Sequence, residues 1–302
     1  MRSPISSQFL AAAATVLSAS QALAASTPRS SDADDTPLPV IIWHGLGDSF
    51  NGEGIQRVGA LAEAIHPGTF VYSISLAGED SSGDRSATFF GNVTQQLDTV
   101  CALLAAHPIL STAPAVDAIG FSQGHNGIVE FKACGTSDWL CKGAMALLRF
   151  NTWSSFVQNR LVPAQYYRDP ASPAYDTYLD ASNFLADINN ERLLKNETYK
   201  KNIASLENLV MYMFEDDTTV IPRRTAWFDE VNGTDVTPLR ERRMYKEDWL
   251  GLRELDSKGG IHFRSITGEH MQIPDQVLND TMVEFFGPVK SKAKGIFESD
   301  EL

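Results

Sequence analysis

The chain has 302 residues, 43% hydrophobic and 21% charged, the balance of a globular protein with a sizeable core. Its formal net charge of −13 leaves no basic face to displace counterions from phosphates, which excludes nucleic acid as a partner. The same charge argues against simple electrostatic adsorption to anionic lipid.

At the N-terminus Arg2 precedes an apolar run over 9–17 and the small-residue site Ala22-Leu23-Ala24. This pattern predicts a signal peptide over 1–24; a membrane anchor would need a longer run than one broken by Ser18, Ser20 and Gln21. No other segment approaches a span, so no stable membrane insertion is expected. Residues 25–37 read as a disordered leader, 38–288 as the folded domain and 289–302 as a polar tail. The closing Ser-Asp-Glu-Leu partly matches an endoplasmic-reticulum retention signal and reads equally well as a frayed end. Sequons at Asn92, Asn196, Asn232 and Asn279 suit a glycoprotein on the secretory route, without fixing its final stop.

Within the domain, Pro-Val-Ile-Ile-Trp at 39–43 predicts a strand covered on both faces, followed by the turn His44-Gly45-Leu46-Gly47-Asp48. A helix over 54–65, a strand over 69–74 and a helix over 89–106 come next, the last with Val93, Leu97, Val100 and Leu104 at helical spacing. A buried strand over 114–121 completes a rhythm that predicts an α/β fold with a mainly parallel sheet flanked by helices. Beyond Ser122 the rhythm fails. Residues 127–133 offer two helical turns, then a cysteine-containing loop and a mixed helical region. Strands return at 208–214, ending in Glu215-Asp216-Asp217, and at 260–266, running into Thr267-Gly268-Glu269-His270.

The chemistry centres on Gly120-Phe121-Ser122-Gln123-Gly124, a Gly-x-Ser-x-Gly at the end of an apolar strand. Such an elbow exposes a serine hydroxyl, and its glycines are expected where side chains would strike the neighbouring strand and helix. Serine needs a base, and the base an orienting acid. Ser122, Asp217 and His270, each just past a strand, follow the chain order of an α/β-hydrolase triad, with Asp216 competing for the acid's place. His44 is better placed to support the first turn. His66, His107 and His262 fall in helix-end, loop and strand contexts. Two backbone amides, those of Leu46 and Gln123, are candidates for an oxyanion hole, although 44–48 also reads as a plain tight turn. Cys134 and Cys141 are expected to bridge one loop in an oxidising lumen, leaving Cys101 as a buried free thiol. The scattered histidines form no metal-ligand cluster, and no cofactor is expected.

Residues 38–48, 118–124, 160–170, 184–192, 196–202, 248–253 and 268–272 resemble, in collinear order, the palmitoyl-protein thioesterases of lysosomes. The resemblance covers about 38–287. It implies an α/β-hydrolase that removes long-chain fatty acyl groups from cysteine thioesters, with about 140–205 as the lid and acyl-groove insertion. Ser122 would be the nucleophile, His270 the base, Asp217 the orienting acid, and the Leu46 and Gln123 amides the oxyanion donors. The implied partners are S-palmitoylated proteins or peptides, the implied destination is a lysosome or vacuole or the cell exterior, and a monomer is expected.

One departure stands out. In the family the elbow continues through a helix and a further strand, whereas here Gly124 joins His125-Asn126-Gly127-Ile128 directly. The resemblance also implies that the missing piece carries the cysteine that pairs with the equivalent of Cys101. A central strand supplies backbone partners on both sides, so its loss is costly to a parallel sheet. The break is best explained by a misplaced exon boundary or a defective splice form. Two other functions therefore stand beside the thioesterase: a lipase or carboxylesterase of the same fold, and a non-catalytic remnant that binds acylated proteins.

Overall fold

The computed structural model describes residues 35–122, 127–130, 134–148 and 151–289. The expected signal segment, the leader up to residue 34, Gln123, the Gly124–His125 junction and the tail beyond residue 289 lie outside them.

The first half alternates as its pattern predicts: β1 (Val40–Trp43), α1 (Glu53–Ile65), β2 (Val71–Ser73), α2 (Ser81–Ala87), α3 (Val93–Ala106) and β3 (Asp117–Gly120). The strands form a parallel sheet in the order β2-β1-β3, with Val40 opposite both Val71 and Asp117. α1 buries Ile55, Val58, Gly59 and Ala62, one helical stripe, against it. A Cβ on Gly59 would stand 3.2 Å from Val71 Cγ1, so glycine lets the helix lie close to β2. The helix expected over 89–106 begins later, because the Asn92 side chain accepts the Gln95 amide and caps α3 there.

Short helices then follow: α4 (Trp139–Leu148), α5 (Ser155–Gln158), α6 (Val162–Gln165), α7 (Ala174–Ala181), α8 (Leu185–Ile188) and α9 (Glu197–Ala204). They pack around Phe89, Leu148, Val157 and Leu161 on one side and Tyr166, Tyr178, Phe184 and Leu185 on the other. The chain returns through β4 (Leu209–Phe214), the hairpin β5 (Glu230–Asn232) and β6 (Asp235–Thr237), α10 (Arg243–Lys246), α11 (Leu252–Ser257), β7 (Ile261–Ile266) and α12 (Asp275–Phe285). β4 and β7 pair in parallel, Leu209 with Ile261 through Phe214 with Ile266.

The parallel strands thus form two sheets rather than one: β2-β1-β3 and β4-β7. Among the described residues β3 pairs only with β1, and Ala118 and Gly120 are exposed, which corrects the expectation of a buried strand over 114–121. A Cβ on Gly120 would meet nothing within 4 Å among the described residues, so the crowding expected at that glycine is not found, while Gly124 lies outside the described residues. Besides the unpaired outer edge of β3, the face that Ala118 and Gly120 share has no described element packed over it. α12 links the two sheets. Leu278, Met282 and Phe285 pack with Val40, Ile42 and Phe121 and against Val210 of β4. Thr281 shares a hydrogen bond with Tyr212 at 2.6 Å, and the Gly287 amide donates to Asp117 Oδ2 at 3.1 Å.

Two further expectations change. Ile128 and Glu130 are extended, bridging to Tyr167 and Ile221, because α6 and β4's exit loop offer backbone partners there; residues 131–133 lie outside the described set. Cys101 is a free thiol but exposed, one position round α3 from the buried Val100.

Candidate active site

Ser122 follows β3 directly, with φ at +67°, a left-handed conformation rarely adopted by a residue with a side chain. Gly45 makes room for it. A Cβ at position 45 would lie 2.8 Å from Ser122 Cβ and 3.2 Å from the Phe121 carbonyl oxygen. The first turn and the elbow therefore touch through backbone, which only glycine at 45 allows.

The row of polar groups is continuous. Ser122 Oγ lies 2.8 Å from His270 Nε2, and His270 Nδ1 lies 2.8 Å from Asp217 Oδ2. A carboxylate only accepts, so Nδ1 carries the proton and Nε2 is left to accept the serine hydroxyl. Asp217 Oδ1 accepts the amides of Thr219 (2.7 Å) and Val220 (2.9 Å). Burial opposes ionisation of Asp217, but His270 and those two amides outweigh it and hold the carboxyl below its usual range. The Phe214 ring packs edge-on to His270. Asp216 is exposed, and its backbone amide donates to the Gly268 carbonyl at 3.0 Å.

Leu46 is half-exposed at the mouth of the site, and its amide has no acceptor among the described residues. The turn that carries it is held by α2 and the residue after it. Thr88 Oγ1 accepts the Gly47 amide at 2.8 Å, and Arg85 Nε donates to the Gly47 carbonyl at 2.7 Å. Beneath the turn lies a buried pair. His44 Nε2 is 2.9 Å from Asp84 Oδ2, a close contact off the ideal hydrogen-bond direction, with both side chains fully buried. Asp84 also accepts the amides of Phe50 and Leu76, each at 2.7 Å. Asp84, Arg85 and Thr88 escape sequence reasoning because their partners lie some forty residues upstream. The lone acid within Ser-Gly-Asp-Arg was the one available sign.

These groups open on a cavity of about 360 Å³. Its apolar wall comes from Phe89, Ile128, Met145, Val162, Tyr166 and Val220, beside Ser122 and Leu46. Cys134 and Cys141 are joined as a disulfide and line the same cavity. Asp138, between them, accepts the Cys141 amide and meets Arg85 Nη2 at 3.4 Å, tying the disulfide loop to α2. Gln123, expected as the second amide donor, lies outside the described residues. Asn196 and Asn232 are exposed, Asn92 and Asn279 half-buried. Among the described residues no cluster of His, Cys, Asp or Glu could hold a metal ion, and no helix is long and apolar enough to cross a membrane.

A family described as palmitoyl protein thioesterase matches residues 39–125 and 125–270, two stretches that meet at one residue. Palmitoyl-protein thioesterase 1 of Caenorhabditis elegans is 34% identical over 279 aligned positions, taking in 82% of this chain and 92% of that protein. A palmitoyl-protein thioesterase-dolichyl pyrophosphate phosphatase fusion of Schizosaccharomyces pombe is 30% identical over 89% of this chain and 46% of its own length. The human lysosomal thioesterase PPT2 is 28% identical over 74% of this chain and 78% of its own. In the nematode comparison, 82% of this chain is fewer residues than the 279 positions aligned, so the relative carries positions this chain lacks.

Proposed function

The chain belongs to the palmitoyl protein thioesterase family, and from that premise we propose that it hydrolyses long-chain fatty acyl thioesters of cysteine in proteins or peptides. The observation that carries the reading is the row Ser122–His270–Asp217 opening on an apolar cavity. His270 Nε2 takes the Ser122 proton as Oγ attacks the thioester carbonyl carbon, and Asp217 steadies the imidazolium that forms. The Leu46 and Gln123 amides receive the developing oxyanion. Collapse expels the cysteine thiolate, which takes its proton from Nε2 and leaves an acyl-serine. A water deprotonated by His270 then attacks that ester and releases the fatty acid. The apolar wall from Phe89 to Val220 takes the acyl chain.

The family reading carries with it an α/β-hydrolase fold, and we read this chain as one lacking a helix-strand unit after Gly124. Four observations support this. The parallel strands are divided at β3, Ala118 and Gly120 are exposed, the family match breaks at residue 125, and the nematode relative has positions to spare. Cys101 is then exposed because its partner belonged to that unit. The signal segment, the sequons and relatives named as lysosomal support a secretory destination ending in a lysosome or vacuole, or outside the cell.

The test is hydrolysis of a palmitoyl-cysteine peptide by the secreted chain, its Ser122→Ala variant, and a chimera with the nematode relative's extra segment inserted after Gly124. Activity in the chain and chimera, lost with Ser122→Ala, supports the thioesterase and shows that the fold tolerates the break. Activity in the chimera alone assigns the function to a longer form. Faster cleavage of oxygen esters than thioesters would favour a lipase or carboxylesterase. Tight binding of the peptide without turnover by any form would favour an acyl-protein-binding remnant.

A further inference from the structure

The loop from Asn190 to Asn196 is fastened at its neck and bare at its tip. Asn190, at φ +55°, accepts the Asn196 amide at 2.7 Å. Its side-chain amide donates to the Asn196 carbonyl at 3.1 Å and to the Trp249 carbonyl at 2.7 Å. Glu191 is buried, its carboxylate taken up by Arg168, Tyr175, Tyr178 and Asn189. Arg192 Nε donates to the Leu179 carbonyl at 3.0 Å. Lys195 Nζ donates to the Arg192 carbonyl at 2.7 Å and lies 3.7 Å above the Trp249 ring.

Between these fixings, Leu193 is 94% and Leu194 89% exposed, the most exposed large apolar side chains among the described residues. A neck held by so many hydrogen bonds makes the exposure a property of the folded loop rather than of slack chain. Two adjacent, protruding leucines form a wedge and not a groove, so a small ligand has no cavity there. Arg192 and Lys195 flank them in sequence, two cations on a chain whose net charge is −13.

We propose that this loop is a lipid-docking tip. Leu193 and Leu194 enter the acyl boundary of a bilayer while Lys195, held at the neck of the loop, stays at headgroup level, the arrangement of interfacial anchors in general. Because the overall charge is negative, the leucines supply most of the affinity and the cations only orient the approach. A glycan on Asn196, at the foot of the tip, would stand in the headgroup layer. Docking there would bring the enzyme to acyl chains that rest in membranes, but it does not depend on the Ser122 chemistry.

The experiment is flotation of the secreted protein, glycans trimmed, with phosphatidylcholine vesicles, with and without phosphatidylserine. Wild type is compared with Leu193→Ser plus Leu194→Ser and with Val283→Ser, a control at an exposed apolar position on α12. Thermal melts establish that all three are folded. Wild type and Val283→Ser should float alike, and the double variant should partition about tenfold more weakly or worse. Equal flotation of the double variant, or none of wild type, overturns the proposal. So does a double variant that changes only the sedimentation of the protein alone, which would assign the leucines to contact with a second copy. Flotation does not read hydrolysis, so an inactive Ser122 leaves the result intact.

Discussion

Ser122 and His270 stand on different sheets, yet Ser122 Oγ and His270 Nε2 are 2.8 Å apart. Ser122 ends the strand β3 of the first sheet, and His270 and Asp217 follow β7 and β4 of the second. No described strand hydrogen-bonds across the division, so the alignment rests on side-chain packing, chiefly that of α12 on both sheets. On the proposed thioesterase chemistry, substitutions along this row and beneath it have separable consequences.

Asp217→Asn should lower kcat on the order of 10³–10⁴-fold with little change in melting temperature, because an amide stabilises the wrong histidine tautomer. Asp216→Asn, at an exposed position while Asp217 holds His270 Nδ1, should leave kcat about where it is. Steady-state kinetics on an acyl-cysteine peptide compare the two, and equal losses would reject the assignment of the acid.

Gly45→Ala should lower kcat on the order of 10²-fold, since the new methyl would come within 2.8 Å of Ser122 Cβ and displace the hydroxyl. KM should move much less, the cavity wall being untouched. A crystal structure of the variant with Ser122 unmoved would disprove this reason for the glycine.

The His44–Asp84 pair should give the fold an acid-favouring component. Burial opposes charge on His44, but Asp84 and the Gly45 carbonyl outweigh it and hold the ring above its ordinary 6.5. Burial likewise opposes charge on Asp84, but His44 and the amides of Leu76 and Phe50 hold its carboxyl below the ordinary 3.8. A raised histidine stabilises fully below pH 6.5 and loses that contribution as pH climbs through its folded value. A depressed aspartate stabilises above pH 3.8 and loses its contribution as pH falls through its folded value. The two windows overlap between about pH 4 and 6.5. The difference in Tm between wild type and Asp84→Asn should be widest there and narrow toward pH 8. A difference that does not vary with pH would remove the linkage.

Cys134→Ser with Cys141→Ser opens a loop of sequence separation 7. The chain-entropy account puts the loss at about 2–3 kcal/mol, readable by urea denaturation. Because both cysteines line the cavity, KM should rise while kcat holds. Unchanged KM in a destabilised variant would make the disulfide purely structural.

The sequence carried the alternation of the first half because strand and helix periods are local. β1, α1 and β2 fall where the apolar patterns of 39–43, 54–65 and 69–74 put them, with ends trimmed by a residue or a few. The three polar residues now found in one row were readable for a similar reason, each sitting at the end of an apolar run that had to be a strand. α2 was missed, since Ser-Ser-Gly-Asp-Arg has no apolar stripe and is helical through the Asp80 cap and contacts with the first turn. Cys101 was misread as buried because helical spacing locates a stripe but not how far it wraps, and β3 because nothing in 114–121 reveals whether a neighbour covers its outer edge.

By itself the sequence determined where strands end and which chemically able side chains stand there, because periodicity and turn residues act over a few positions. Only the tertiary structure decided that His270 takes Asp217 rather than Asp216, that Asp84 lies under His44, and that the parallel strands fall into two sheets. Those outcomes depend on burial and on hydrogen-bond direction between segments far apart in sequence. The energy that selects among them arises only when the elements pack.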